Sequence, residues 1–227
     1  MNTAVQPEGG RREARAQATR ARFLEAGRRL FAAHGLASVT SHAIAEAAGF
    51  AAGTFYLHFK DKHALFGELA EDAAQQLERR LLAVMAEKTE LSDIAYAQAD
   101  ALVSFAEEQR ELLLIAFHRG SESTDVGGRI LQRLAAGVSA RRRELAAQGA
   151  TDPAFDPDVL AQAIVGMWAQ VLVWWAEDPG RATREDVIRT MTHFQLFGSR
   201  HETMDLCGQE AATEPNPNDT PDGDVSR

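Results

Sequence analysis

The stretch SHAIAEAAGFAAGTFYLHF, residues 41–59, restricts the fold of this chain more than any other. Two segments of helix-forming residues flank Gly49, and each has room for only about two turns. Isolated helices that short are marginal in water, so they persist only where one face packs. Phe55 and Phe59 stand four apart and share a face, and Ile44, Ala45 and Ala48 line the corresponding face of the first segment. Tyr56, His58, Lys60 and Lys62 fall off that face. Thr40 is placed to cap a helix over Ser41–Ala48, and Val39 and Ile44 have the spacing of a hydrophobic staple. The second segment is expected over Ala52–Phe59. Two short helices joined by a tight turn and braced by a longer one have the layout of a helix-turn-helix.

The rest of the chain reads as helix as well. Ala, Leu, Glu and Arg recur throughout, and no stretch alternates apolar and β-branched residues with polar ones. The expected fold is all-α. An N-terminal three-helix head is joined by a long helix to a helical body. The bracing helix is expected from Arg15 to His34, with Phe23, Ala26, Leu30 and Phe31 on one face and Gly35 as its stop. Asp61 can cap the long helix, which reaches Glu87. Five further helices are expected over Ser92–Glu107, Glu111–Arg119, Asp125–Gln148, Asp156–Glu177 and Thr183–Arg200. Pro153, Pro157 and Pro179 punctuate them. The expected organisation is a disordered tail over 1–14, a reading head over 15–62, a body over 63–207 and a disordered, acidic, proline-containing tail over 208–227.

Charge separates the head from the body. The chain of 227 residues carries a formal net charge of −9. Residues 1–62 hold nine Lys/Arg against five Asp/Glu, and residues 63–227 hold fifteen against twenty-eight. A basic head on an acidic body points to a polyanion as the partner of the head. Arg11, Arg12, Arg15, Arg20 and Arg22 form a run that reads as a solvated tail or as a track for a DNA backbone. The run ARRRE, residues 140–144, reads as a solvated helix face. One cysteine, Cys207, excludes an internal disulfide framework and a cysteine-based zinc site. No apolar leader and no run of about 18 apolar residues is seen, so a cytoplasmic protein without a membrane partner is expected. Zincin, nucleophile-elbow, P-loop and dinucleotide motifs are absent from the sequence. No enzyme, metal site or cofactor is expected.

Residues 40–66, TSHAIAEAAGFAAGTFYLHFKDKHALF, resemble the DNA-binding domain of TetR-family transcriptional regulators. The order Gly-x-x-x-Gly-Thr-x-Tyr-x-His-Phe-x-x-Lys from Gly49 to Lys62 carries the resemblance, which covers about residues 15–66. It implies a homodimer, double-stranded DNA with an inverted-repeat operator as partner, a variable ligand-binding body, and repression relieved by a small molecule. It further implies DNA contacts at Thr40, Ser41, His42, Ala51, Ala52, Gly53, Thr54, Tyr56, His58 and Lys62. Ala51 departs from the serine or threonine that many members use to cap this helix, a loss of ~0.5–2 kcal/mol. Ala52 offers only a methyl group where a polar residue is common.

In the body, VLAQAIVGMWAQVLVWWAEDPG, residues 159–180, is apolar nearly all round. The resemblance implies that this helix and the last one form a four-helix dimer interface, through Val159, Ala163, Gly166, Met167, Trp174, Val187, Met191 and Phe194; the other reading of the same apolar stripes is a core within one chain. A pocket for a hydrophobic or aromatic ligand is expected among Phe105, Leu114, Phe117, Trp168 and Trp175, with His118 as its orienting polar group. Another reading of the same sequence is a helix-turn-helix protein that acts through a protein partner or coats DNA without sequence preference.

Overall fold

A computed structural model describes residues 8–87, 90–117, 124–148 and 155–198. Nine α-helices and no strand occur among the described residues. They are α1 (Glu8–Ser38), α2 (Ser41–Ala47), α3 (Ala52–Tyr56), α4 (Lys62–Glu87), α5 (Leu91–Glu108), α6 (Arg110–Phe117), α7 (Thr124–Ala147), α8 (Pro157–Glu177) and α9 (Arg184–Phe197). A 3₁₀ turn over Pro179–Arg181 links the last two.

The head is built as its residues dictate. Gly35 takes φ 73° and interrupts α1, and Gly49 takes φ 77° and turns the chain from α2 to α3. Both values lie in the left-handed region that glycine enters without steric cost. The Thr40 hydroxyl accepts from the Ala43 amide at 3.1 Å and caps α2. Ala51 precedes α3 without a side-chain cap, as its methyl group dictates. Asp61 Oδ1 accepts from the Ala64 amide at 2.8 Å and caps α4. Phe23 is fully buried at the centre. Its ring lies 5.4 Å from Phe55 and 6.4 Å from Phe59, both edge-on, and 5.2 Å from Phe50. Edge-to-face pairs of this kind add to the area they bury.

α4 belongs to both halves of the molecule. Its first turns pack on α1, with Phe66 5.9 Å from Phe31, and its later turns pack on α5 and α7. α8 packs on α5, α6 and α7, and α9 packs on α5. The buried cluster is continuous from Phe23 in the head to Met191 in the body.

Two features depart from expectation. α1 starts at Glu8, ahead of Arg15, so residues 8–14 are helical where a disordered tail was expected. α8 is long and apolar enough, by length and composition, to cross a membrane, with a mean hydropathy of 1.5 over 18 residues, although no such run was expected. Gln162 and Gln170 interrupt its apolar residues, so the sequence holds no unbroken apolar run of that length. Residues 208–227, expected as a disordered acidic tail, lie outside the described residues, as do Cys207 and His118.

Candidate nucleic-acid interface

The outer surface of the head is formed by the residues that its core does not use. Phe55 is fully buried, whereas its neighbour Tyr56 is 60% exposed. The ring of Tyr56 stands edge-on to Phe55 at 5.5 Å, so packing fixes the ring while the phenol points outward. Ala51 and Gly53 are exposed at the start of α3, and Ala52 and Thr54 are half-buried beside them. Thr40 and His42 are exposed at the start of α2, with Ser41 half-buried. The structure therefore brings nine of the ten expected DNA-contacting residues onto the two short helices and the turn that follows them. Small side chains at 51–53 leave the backbone of α3 open to close approach. Hydroxyl and imidazole groups flank it as donors suited to phosphate oxygens and base edges.

His58 is held from behind. Its ring lies 5.6 Å from Phe23, and its carbonyl accepts from Arg20 Nη1 at 2.7 Å. Arg20 also pairs with Glu68 and places its guanidinium 4.2 Å from the Phe59 ring centroid. Arg22 lies over Phe50 at 4.7 Å. A Cβ on Gly49 would come within 3.0 Å of the Arg22 guanidinium. These two arginines read in the sequence as part of a basic run, yet both are fitted to the head. Only their spacing from Phe23 could have signalled it.

Lys62 requires a correction. Its ammonium donates to the carbonyls of Leu36 and Ala37 at 2.9 and 3.1 Å. Helix ends leave carbonyls unpaired, and Lys62 satisfies those at the end of α1. It braces the head where a phosphate contact was expected.

The body sorts the expected interface residues into two groups. Val159 is 69% exposed, Phe194 60% and Trp174 41%. Ala163 and Gly166 are exposed on the same stripe of α8, and Met167 is half-buried at its edge. A Cβ at Gly166 would meet no atom within 4 Å. Val187 and Met191, in contrast, are 4% and 5% exposed. α9 packs on α5 within the same chain and both residues join the buried cluster, so they are core residues and not part of an exposed dimer face.

Among the expected pocket residues, Phe105, Trp168 and Trp175 are buried in the main cluster, with Leu114 and Phe117 packed against it. The indole N–H of Trp168 donates to Gln195 Oε1 at 3.0 Å, and that of Trp175 to the Ala182 carbonyl at 2.9 Å. A cleft of about 470 Å³ lies elsewhere, between α1 and α4, where Leu24, Arg28, Glu68 and Asp72 line it. Among the described residues, none of the expected pocket residues borders this cleft.

Comparison with known proteins agrees with this geometry. Residues 23–69 match the family described as bacterial regulatory proteins, tetR family. The HTH-type transcriptional regulator AcrR of Shigella flexneri is 36% identical over 110 residues, which are 46% of this chain and 50% of that relative. The match thus spans half the length of that relative. FadR from Bacillus halodurans, a fatty acid degradation regulator, has the same fold with a TM-score of 0.67 at 19% identity, over 81% of this chain and 97% of that one. FadR from Bacillus subtilis, solved in complex with stearoyl-CoA, gives a TM-score of 0.65 at 19% identity, over 79% of this chain and 99% of that one. With this helix-turn-helix, the family match across residues 23–69 and the shared all-α fold, the chain is similar to TetR-family transcriptional regulators, most closely through its head.

Proposed function

We propose that the chain is a homodimeric, sequence-specific repressor that leaves an inverted-repeat operator when a small hydrophobic ligand binds its body. The observation that carries the reading is the division of α3, whose Phe55 is buried while Tyr56 is 60% exposed beside an open, small-residue N-terminal end. An outward helix of this kind presents its first residues to the major groove and its flanking donors to phosphates. Thr40, Ser41, His42, Ala51, Ala52, Gly53, Thr54, Tyr56 and His58 are the proposed contacts. A DNA-binding role places the protein with the chromosome, in the cytoplasm, and requires no catalytic residue.

Two such helices meet successive major grooves only when they are about 34–36 Å apart or a multiple of that. The exposed stripe of α8 and α9, with Val159, Ala163, Gly166, Trp174 and Phe194, is the proposed face that joins two copies. A ligand acts by preferring one separation of the heads. Its place is proposed between α5, α6 and α8, where Phe105, Leu114, Phe117, Trp168 and Trp175 supply apolar walls. The complex of Bacillus subtilis FadR with stearoyl-CoA, on the same fold, supports a long-chain acyl compound as the first class to try.

The test is selection of fragmented genomic DNA by the purified chain, beside a Tyr56→Phe variant. Enrichment of a few inverted repeats, weakened in the variant and released by long-chain acyl-CoA, is the expected result. Uniform recovery of all fragments would overturn sequence-specific regulation. Retention of the fragments at saturating acyl-CoA would overturn that ligand class.

A further inference from the structure

α1 runs past the rest of the head. Its packed part has a clear direction. Arg28 Nη1 donates to Gln109 Oε1 in the body at 2.8 Å, whereas Arg20 reaches the His58 carbonyl and Phe23 the aromatic rings around α3. Going back along the helix from Arg28 to Arg20 therefore leads from the body to the reading helix. Residues 8–18 continue beyond it, away from the body. Every residue from Gly10 to Ala18 is exposed, so the first turns of α1 are a free helical arm about 13 Å long at ~1.5 Å per residue.

The arginines of this arm are ordered. On a helix of ~3.6 residues per turn, positions 11, 15 and 22 fall within about 40° of one another. Arg22 fixes where that face looks, because its guanidinium lies over Phe50 at 4.7 Å, against the Gly49 turn that leads into α3. Arg11 and Arg15 thus extend one basic ridge outward from the side of the head that carries the reading helix. Glu13 falls on the opposite face, about 180° from the middle of the ridge. The arm carries Arg11, Arg12 and Arg15 against Glu8 and Glu13, within a chain whose net charge is −9. Among the described residues, no hydrogen bond or ion pair engages the guanidinium of Arg11 or of Arg15; the Thr19 hydroxyl donates to the Arg15 backbone carbonyl at 3.0 Å and leaves the side chain unengaged.

We propose that the N-terminal arm of α1 is a second DNA-binding element, in which Arg11 and Arg15 neutralise backbone phosphates flanking the site read by α3. It rests on the reading of α3 as the DNA-reading helix. A helical arm holds its charges in register before binding, so it forgoes much of the ordering cost that a floppy basic tail would bear. Phosphate contacts position the protein and carry no sequence information, so the arm lengthens the footprint and strengthens binding without altering the preferred sequence.

The experiment uses full-length protein and an operator fragment selected as above. Affinity is measured against salt between 50 and 200 mM for the unaltered chain, Arg11→Gln/Arg15→Gln, Arg11→Lys/Arg15→Lys and Arg29→Gln. Each phosphate neutralised contributes ~0.9 to the slope of log affinity on log salt. Two arginines in each of two subunits give about 3.6, on the order of 10²-fold in affinity across that fourfold salt range. The expected result is a slope lowered by about 3 to 4 in the glutamine variant, with protection withdrawn by a few base pairs at both outer edges. The lysine variant restores the slope, and Arg29→Gln, which removes an exposed charge nearer the body, leaves it unchanged. An unchanged slope and footprint in Arg11→Gln/Arg15→Gln, with the operator still selected, would overturn the arm alone. Failure of the unaltered chain to select any site would overturn the regulator reading and the arm with it. An equal loss in Arg29→Gln would show a general effect of net charge and would also overturn the arm.

Discussion

Tyr56→Phe removes one oxygen atom per subunit and separates recognition from stability. The ring is 60% exposed and rests edge-on against Phe55 at 5.5 Å, a contact that phenylalanine keeps. No hydrogen bond from the Tyr56 hydroxyl is formed within the chain among the described residues. Loss of the hydroxyl therefore leaves folding stability within about 0.5 kcal/mol, as for other surface substitutions. DNA binding responds differently. A hydrogen bond to a charged acceptor contributes ~1.5–3 kcal/mol, and a dimer makes it twice, about 3–6 kcal/mol in all. At ~1.4 kcal/mol per decade, the operator affinity falls about 10²- to 10⁴-fold. Fluorescence anisotropy on a labelled operator fragment gives the affinity, and urea unfolding of the same preparation gives the stability. The neighbouring substitution provides the contrast. Phe55→Ala empties a site that is fully buried and costs ~3–5 kcal/mol of stability, so it loses DNA binding by loosening the head. Unchanged affinity in Tyr56→Phe would refute the phosphate contact. Destabilisation by more than 1 kcal/mol or so would show that the hydroxyl is part of the fold.

Three further outcomes follow from single contacts. Lys62→Met leaves the carbonyls of Leu36 and Ala37 without their ammonium partner, so the thermal midpoint falls while the salt slope of DNA binding stays as it was. Gly127→Ala places a Cβ 2.2 Å from the Ala116 carbonyl oxygen and 2.9 Å from the Phe117 ring, forcing α7 off α6 at a cost of ~1–3 kcal/mol in urea unfolding. Asp158 titrates below the ordinary aspartate range because it accepts a hydrogen bond from Ser139 and, secondarily, pairs with Arg143. The folded value being the lower one, its contribution is present above the unfolded pKa and fades as pH falls through the folded one. Asp158→Asn flattens that part of the acid limb in a pH series of melting temperatures.

Local signals were the legible ones. The Thr40 cap, the glycine turn, the Asp61 cap and the missing cap at Ala51 each depend on one residue and its near neighbours, and each appears where the sequence places it. Long-range choices were not legible. Lys62 reaches carbonyls some 25 residues earlier, and nothing in its own neighbourhood announces them. Helical periodicity in α9 marks Val187, Ile188, Met191 and Phe194 as apolar, yet it does not say which neighbour each face meets. The structure turns the first three onto the core and leaves Phe194 outside. The start of α1 was obscured by Gly9 and Gly10, which read as breakers. Residues added to an existing helix need no new nucleus, so the packed part from Thr19 onward suffices to carry the arm.

α8 poses the last question, because its composition alone would suit a bilayer as well as a protein interior. Its packing decides between them. Ala161, Trp168, Leu172, Trp175 and Ala176 are buried against the rest of the chain, so lifting the helix into lipid would strip the body of its core. The stripe left outside carries Val159, Ala163, Gly166 and Trp174, and also Gln162 and Gln170, whose amides favour a protein partner over hydrocarbon. With Phe194 and Phe197 of α9, at 60% and 45% exposure, it forms an apolar face that a second copy can cover. Phe194→Glu tests that covering. In the single chain Phe194 is already largely in water, so the substitution costs the monomer little. Within a dimer it buries two carboxylates without partners, a penalty of several kcal/mol each. The expected outcome is a monomer by sedimentation equilibrium with its helical circular dichroism intact. Its operator affinity falls towards that of one head alone. A variant that remains dimeric would place the contact between copies on another face.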